Sequence, residues 1–279
     1  MKTEEKYRAG IPETRRIVIK VGSRVLVQKN GRPDTRRMRT LVNDIARLRL
    51  AGKDVILVTS GAIAAGMQAL KIRERPTKLP DLQMAAAVGQ TRLMSLYTDM
   101  FAVKGYIIGQ ILLTNDNFMQ RMRTINAKRT IENLLRNGVV PIINENDAIT
   151  DEEIRADLAL GDNDLLATLV SKLIRADLML LLTTADGVRA PSTPGRTKRV
   201  SFIEEVNRKV MRLVTPDDNS LSKGGMASKL HAARDAAQSG CLAIIANGLE
   251  TGIIGRVMKG EDVGTIVLSE LKRNRRSGA

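Results

Sequence analysis

At 279 residues, 43% of them hydrophobic, and with no apolar run near the ~20 residues of a membrane span, the chain reads as a soluble protein long enough for one large or two modest domains. Its formal charge of +15, from 45 basic against 30 acidic side chains, invites a polyanion such as a nucleotide, a nucleic acid or a membrane surface. The basic residues are spread along the chain, however, and three Phe, three Tyr and no Trp leave few platforms for stacked bases, which argues for a generally basic surface and against nucleic acid.

Residues 1–14 read as a loose leader, and their start, MKTEEKYRAG, lacks the apolar core of a secretory signal. Arg15 to Val21, RRIVIKV, reads as a strand with Lys20 near its end, followed by Gly22-Ser23. A lysine in an apolar strand is costly unless its ammonium reaches an anion or a cleft; the plainer reading is a lysine snorkelling from an edge. A polar turn, Gln28 to Asp34, leads to a helix over Thr35 to Leu50 in which Met38, Leu41, Val42, Ile45, Leu48 and Arg49 recur at helical spacing. Asp54 to Val58 is the second strand, running into Thr59-Ser60-Gly61-Ala62-Ile63-Ala64-Ala65-Gly66. Small residues there let a substrate approach the backbone while Ser60 donates a hydrogen bond; a tight helix–strand contact would explain them equally well. Lys71 to Pro80 reads as an exposed loop, Asp81 to Val103 as a long helix, Tyr106 to Leu113 as a third strand, and Thr124 to Asn137 as a helix ended by Gly138.

The stretch that organises the chain is Val139 to Asp164, VVPIINENDAITDEEIRADLALGDND. It opens with the buried-strand run Val139 to Ile143 and continues into Asn144, Glu145, Asn146 and Asp147, which cannot enter a core. The same chemistry recurs at Gly161-Asp162-Asn163-Asp164, ahead of the helical pattern Leu165 to Leu173. Acids and amides at a strand's C-terminal end and at a helix N-terminus suit a small polar ligand, and a turn plus a cap would need fewer of them.

Beyond that helix (Asp164 to Arg175), Leu178 to Leu182 reads as a strand ending in Thr183-Thr184-Ala185-Asp186-Gly187. Ala190 to Lys198 reads as a surface loop, Phe202 to Val214 as a helix, and Asp217 to Gly225 as a polar approach to a helix from Met226 to Ser239. Leu242 to Ala246 and Gly264 to Leu268 supply the last strands, and Lys272, Arg273, Arg275 and Arg276 form the densest basic cluster. The single cysteine, Cys241, excludes an internal disulfide, fits a reducing cytoplasm, and reads as a small buried hydrophobe. Strands alternating with helices imply an α/β protein whose mostly parallel sheet has helices on both faces.

No GxxxxGK[ST] or GxGxxG fingerprint occurs, and one histidine, His231, gives little support to a His-based metal site or a Ser-His relay. Two lysines do sit at element edges: Lys20 after the first strand, and Lys229 beyond Gly224-Gly225. Brought together, two ammonium groups would suit a transferring phosphoryl group, with Asp164 available to hold both.

The set IKVGSRVL, VTSGAIAAG, AAVGQTRLM, PIINENDA, GDNDLLA, LLLT and GGMASKLHAA, in that order, strongly resembles the glutamate 5-kinases of the amino acid kinase family. The resemblance spans about Arg16 to Leu268 and implies a three-layer α/β sandwich with a mainly parallel, about eight-stranded sheet, a catalytic domain over 15–270, and a basic tail over 271–279 without the PUA domain of many members. It implies transfer of the γ-phosphoryl of ATP, with Mg²⁺, to the side-chain carboxylate of glutamate, the first step toward proline. It places Lys20 and Lys229 on the phosphoryl group with Asp164 orienting them, Ser60, Asp147, Asn163 and Asp162 at glutamate, and Lys20, Thr183, Thr184 and Lys223, Gly224, Gly225, Met226, Ala227, Ser228 and Lys229 at ATP. It also implies a homo-oligomer and a γ-glutamyl phosphate reductase as a partner.

Three positions depart from the family's pattern: Thr184 where an Asp is usual, Arg189 where a Tyr is usual, and Lys223 in place of a small residue. The segment between INEND and GDND is also a few residues longer, which bears on feedback by proline. The rivals are a relative with another acceptor (N-acetylglutamate, aspartate, carbamate or a nucleoside monophosphate) and a non-catalytic basic binding module.

Overall fold

Apolar runs bounded by small or polar residues become buried strands, and amphipathic runs become the helices that cover them. The computed structural model describes residues 3–28, 30–149, 162–193, 196–214 and 225–268. In chain order these form α1 (Thr3–Ala9), β1 (Arg16–Val21), α2 (Ser23–Leu26), α3 (Thr35–Leu50), β2 (Asp54–Val58), α4 (Ala62–Ala69) and α5 (Leu79–Ala102). Next come β3 (Ile108–Leu113), α6 (Asn115–Met119), α7 (Arg121–Arg136), β4 (Val140–Glu145), α8 (Asp162–Leu173), β5 (Leu178–Thr183), β6 (Arg189–Thr193) and β7 (Arg196–Arg199). The last are β8 (Phe202–Ile203), α9 (Arg208–Arg212), α10 (Met226–Gln238), β9 (Leu242–Asn247), α11 (Ile253–Met258) and β10 (Thr265–Val267). Contacts divide the chain into a unit of Val21–Leu158 and a second of Met1–Lys20 with Ala159–Ala279.

In the Val21–Leu158 unit the strand order is β3-β4-β2, all parallel. Every residue of β4 is buried, including Asn144 and Glu145, which the sequence was expected to keep out of a core, as is all of β2 after Asp54, so both faces of these strands are covered. The register pairs Val58 with Ile143 and Leu113 with Glu145, and Thr59 N–H donates to the Ile143 carbonyl at 2.9 Å. Ser60 and the acidic-amide run after Ile143 therefore emerge at one sheet edge. Helix α3 spans the expected residues; Asp34 caps it by accepting from Arg37 N–H at 3.1 Å, and Met38, Leu41, Val42, Ile45 and Leu48 are buried.

The small residues of α4 serve a helix–helix contact, not the helix–strand contact considered from sequence. A Cβ on Gly66 would run into the Ala85 carbonyl, and one on Gly89 into the Ala62 carbonyl. The two helices thus lie backbone to backbone, and glycine at both positions is a steric requirement.

In the second unit the order is β1-β5-β9-β10-β8, with β5 and β9 parallel from Leu178↔Leu242 to Thr183↔Asn247. β10 runs antiparallel to β9 and parallel to β8. Asp177 fixes the start of β1, its carboxylate accepting from Arg15 N–H (3.0 Å) and Arg16 N–H (2.8 Å). β5 and β9 are buried on both faces apart from their last residues. Three strands in one unit and five in the other make up the eight of the mainly parallel, layered α/β fold the sequence implies. Cys241 is buried, as expected.

Several local expectations need correction. The leader is not loose throughout: Thr3–Ala9 is helical, with Tyr7 and Ile11 in the core. Buried Arg8 holds it there by donating to the carbonyls of Glu261 (2.7 Å), Val263 (3.2 Å) and Ser201 (3.1 Å). The expected loop over Ala190 to Lys198 instead contributes two paired antiparallel strands, β6 and β7, tied across by Arg189 to Thr197. Phe202 to Val214 is not one helix. Phe202 and Ile203 pair with β10, and Asn207 caps the short α9 by accepting from Lys209 and Val210 N–H. The tail 271–279 lies outside the described residues.

Replacing Gly89 with alanine should lower unfolding stability by about 2 kcal/mol or more through over-packing. Gly255→Ala in α11, where nothing lies within 4 Å of the new Cβ, should be neutral or stabilising by about 0.5–1 kcal/mol. Urea denaturation of both variants checks this; equal stabilities would contradict the backbone contact between α4 and α5.

Candidate active site

Three charged residues far apart in sequence meet in the second unit. Lys20 comes from the penultimate position of β1, Asp164 from the first turn of α8, and Lys229 from the first turn of α10, which starts after Gly225. Asp164 Oδ1 lies 2.7 Å from Lys20 Nζ and Asp164 Oδ2 lies 3.1 Å from Lys229 Nζ. Ser228 Oγ donates to the same Oδ2 at 3.2 Å. Thr168 Oγ1 bridges the helices, within bonding distance of the Asp164 carbonyl (3.1 Å) and the Ala232 carbonyl (3.2 Å).

Asp164 is 1% exposed, Lys20 6% and Lys229 7%, so all three charges sit largely out of water. Burial pushes the Asp164 carboxyl up, but the Lys20 and Lys229 ammonium groups outweigh it and hold the pKa below the ordinary carboxylate value. Two cations on one anion leave an excess positive charge at the start of two helices, where backbone N–H groups add to it. Such a place attracts an anion with more than one oxygen.

Of the other expected site residues in this unit, Asn163 is half-buried next to Asp164 in α8; Asp162 opens that helix, and its side chain lies outside the described residues. Thr183 is half-buried at the end of β5 and Thr184 is exposed beyond it. Gly225, Met226, Ala227 and Ser228 lead α10, whereas Lys223, Gly224 and the segment 150–161 lie outside the described residues. Arg189 is held in β6 by a salt bridge to Asp186 at 2.7 Å.

The remaining sequence-derived candidates lie in the Val21–Leu158 unit. Ser60 is buried in the turn between β2 and α4. Asp147 lines a recess of about 190 Å³ together with Glu145 and Asn146, the alanines Ala62, Ala86, Ala87 and Ala148, and Gln90, Thr91, Gln110 and Leu112. Sequence reasoning singled out Asp147 and missed Gln90, whose Oε1 accepts from buried Asn144 Nδ2 at 2.8 Å. The available signal was a glutamine inside the apolar face of a long helix, in AAAVGQTRLM.

Comparison with known proteins follows the same lines. A model of the amino acid kinase family matches residues 15–247. The chain is 42% identical to a glutamate 5-kinase of Moorella thermoacetica over 95% of its own length and 70% of that protein's. It is 40% identical to a glutamate 5-kinase of Clostridium acetobutylicum over 98% of its length and all of that protein's. Among solved structures, carbamate kinase from Giardia lamblia bound to AMP-PNP superposes with a TM-score of 0.62 at 14% identity, covering 92% of this chain and 99% of that one. UMP kinase from Bacillus anthracis gives 0.59 at 16%, covering 92% and 97%. At such identities these two similarities establish the fold.

The Asp164 environment has a consequence for acid stability. Because folding lowers this pKa, the ionised carboxylate favours the folded state. That contribution is complete above the unfolded value of about 3.9 and is lost as pH falls through the folded one. Asp164→Asn leaves two buried lysines without their counter-ion and should cost roughly 3–5 kcal/mol at pH 7. The variant's deficit should shrink as the pH falls below about 4. Urea unfolding of both proteins from pH 7 to 3 measures it; a deficit independent of pH would contradict the assignment.

Proposed function

The chain belongs to the amino acid kinase family and, within it, to the glutamate 5-kinases, and from that premise we propose how its residues perform the reaction. The protein phosphorylates the side-chain carboxylate of L-glutamate with ATP, giving γ-glutamyl phosphate and ADP in the first step of proline biosynthesis. The observation supporting the assignment of roles is the buried Lys20–Asp164–Lys229 cluster.

A carboxylate at neutral pH is already the nucleophile, so the site needs no general base. It must bring one anionic oxygen to a phosphorus that carries negative oxygens, and neutralise both partners. Lys20 and Lys229 are assigned to the transferring phosphoryl group and Asp164 to positioning them. With the carboxylate fixed, neither ammonium has to find its place when charge builds in the transition state. The Asp147 carboxylate is assigned to the substrate ammonium, a charge-assisted contact that selects an amino acid. Ser60 and Asn163, with Asp162, are assigned to the rest of glutamate. Thr183, Thr184 and residues 223–229 are assigned to ATP, as the resemblance implies.

Among the described residues no group of three or more His, Cys, Asp or Glu side chains could hold a metal ion. Mg²⁺ is taken to arrive with the ATP phosphates, and no role above depends on a protein-bound metal. No described helix is long and apolar enough to cross a membrane. We place the enzyme in the cytoplasm, as a homo-oligomer beside a reductase that consumes the water-sensitive acyl phosphate. A non-catalytic binding module would have no use for two buried lysines on one carboxylate.

Assayed for ATP consumption with glutamate, N-acetylglutamate, aspartate and UMP, with and without Mg²⁺, the protein should turn over glutamate and require Mg²⁺. Preference for another acceptor would refute the reading. Within it, Asp147→Asn should weaken glutamate by roughly 1.5–3 kcal/mol in KM while leaving the KM for ATP nearly unchanged. Equal losses for both substrates would make Asp147 a structural cap.

A further inference from the structure

Gln90 lines the recess that Asp147 also lines, and its carboxamide carries a hydrogen-bond donor that no described residue uses. Gln90, on α5, is 8% exposed, and its Oε1 is engaged by Asn144 Nδ2 at 2.8 Å. Its Nε2 group is buried and has no hydrogen-bond partner among the described residues. Buried amide groups are nearly always paired, so an unused donor on a residue that lines a ligand-sized recess points to a ligand oxygen. The Asn144 bond matters here because it fixes which end of the carboxamide is the donor.

The surroundings narrow the ligand. Ala62, Ala86, Ala87 and Ala148 leave room, Glu145 and Asp147 supply the acidic side of the lining and Gln90, Thr91 and Gln110 the neutral polar side, and the volume of about 190 Å³ suits an amino acid rather than a nucleotide. Asp147, in the same recess, is matched to an ammonium. In an amino acid the ammonium and the α-carboxylate share one carbon, so a recess that receives the first must also receive the second. On the glutamate reading above, we propose that Gln90 is a further substrate-binding residue, donating from Nε2 to the α-carboxylate of glutamate. The side-chain carboxylate is thereby left for phosphorylation. The backbone contact at Gly89, one residue earlier, holds this part of α5 against α4 and so sets the depth of the glutamine.

The test is steady-state kinetics on Gln90→Glu and Gln90→Met, with thermal unfolding alongside. Gln90→Glu keeps an acceptor for Asn144 and replaces the donor with an anionic or acceptor oxygen. It should raise the KM for glutamate at least tenfold with the KM for ATP nearly unchanged, and the added buried carboxylate should lower the melting temperature. Gln90→Met removes the donor without adding charge and decides the matter if the first variant fails to fold; its KM for glutamate should rise at least fivefold. Competition by 4-aminobutyrate, which is glutamate without its α-carboxylate, separates contact from scaffolding: its inhibition constant should be the same in wild type and Gln90→Met. A glutamate KM within twofold of wild type would overturn the proposal, as would equal losses for glutamate and 4-aminobutyrate. Wild type turning over glutamate while a variant behaves normally refutes only the role of Gln90; wild type failing with glutamate refutes the parent reading.

Discussion

A carboxylate that is 1% exposed stays ionised only if cations are brought to it, and Asp164 obtains two. Each comes from a different element, so the end of β1, the start of α8 and the start of α10 must all arrive at one point. Much of the second unit serves that convergence. Asp177 anchors the beginning of β1, Thr168 ties α8 to α10, and the parallel pairing of β5 with β9 sets the sheet under both helices. Buried ion pairs are poor sources of stability, because the desolvation penalty consumes most of the Coulomb gain. Their retention makes better sense as pre-organisation: a charged bed already dry and already oriented when an anion arrives.

The Val21–Leu158 unit is governed by shape more than by charge. Gly66 and Gly89 let α4 and α5 approach until backbone meets backbone, and no residue with a Cβ could replace them without moving a helix. The recess borders this contact and takes Ala62 from one helix and Gln90 from the other. Thr59, pinned by its N–H to β4 and by its hydroxyl to the buried Tyr97 at 2.8 Å, holds the turn that presents Ser60. A surface made this way has little freedom to adapt, which suits the glutamate site proposed for it.

Most of this was legible in the sequence where a residue's placement contradicted its chemistry. Lys20 in an apolar strand is costly alone and so implied an anion or a cleft, whereas Asp164 at a helix start is an ordinary cap and entered only as a group able to hold Lys20 and Lys229. Strands such as Asp54–Val58 and helices such as Thr35–Leu50 were legible because their periodicity was unbroken. What escaped depends on distant contacts. A seven-residue helix at the N-terminus has almost no intrinsic stability and exists because Arg8 reaches carbonyls more than two hundred residues away. The strand pair β6 and β7 contains Pro191, which reads as a loop until Arg189 is seen gripping Thr197 on the partner strand. Phe202–Ile203 is a strand only because β10 lies beside it. Nothing in the sequence set Gln90 apart from the rest of its helix, because its partner Asn144 lies 54 residues further on.

The central claim is that the two lysines act on charge that develops during transfer and not on substrate binding. Single-turnover formation of γ-glutamyl phosphate by Lys20→Met and Lys229→Met, at saturating ATP and glutamate, tests it most directly. Each variant should transfer at least about a hundredfold more slowly than wild type while its Kd for glutamate stays within a few-fold. Transfer at close to the wild-type rate, with the whole defect appearing in Kd, would contradict the account.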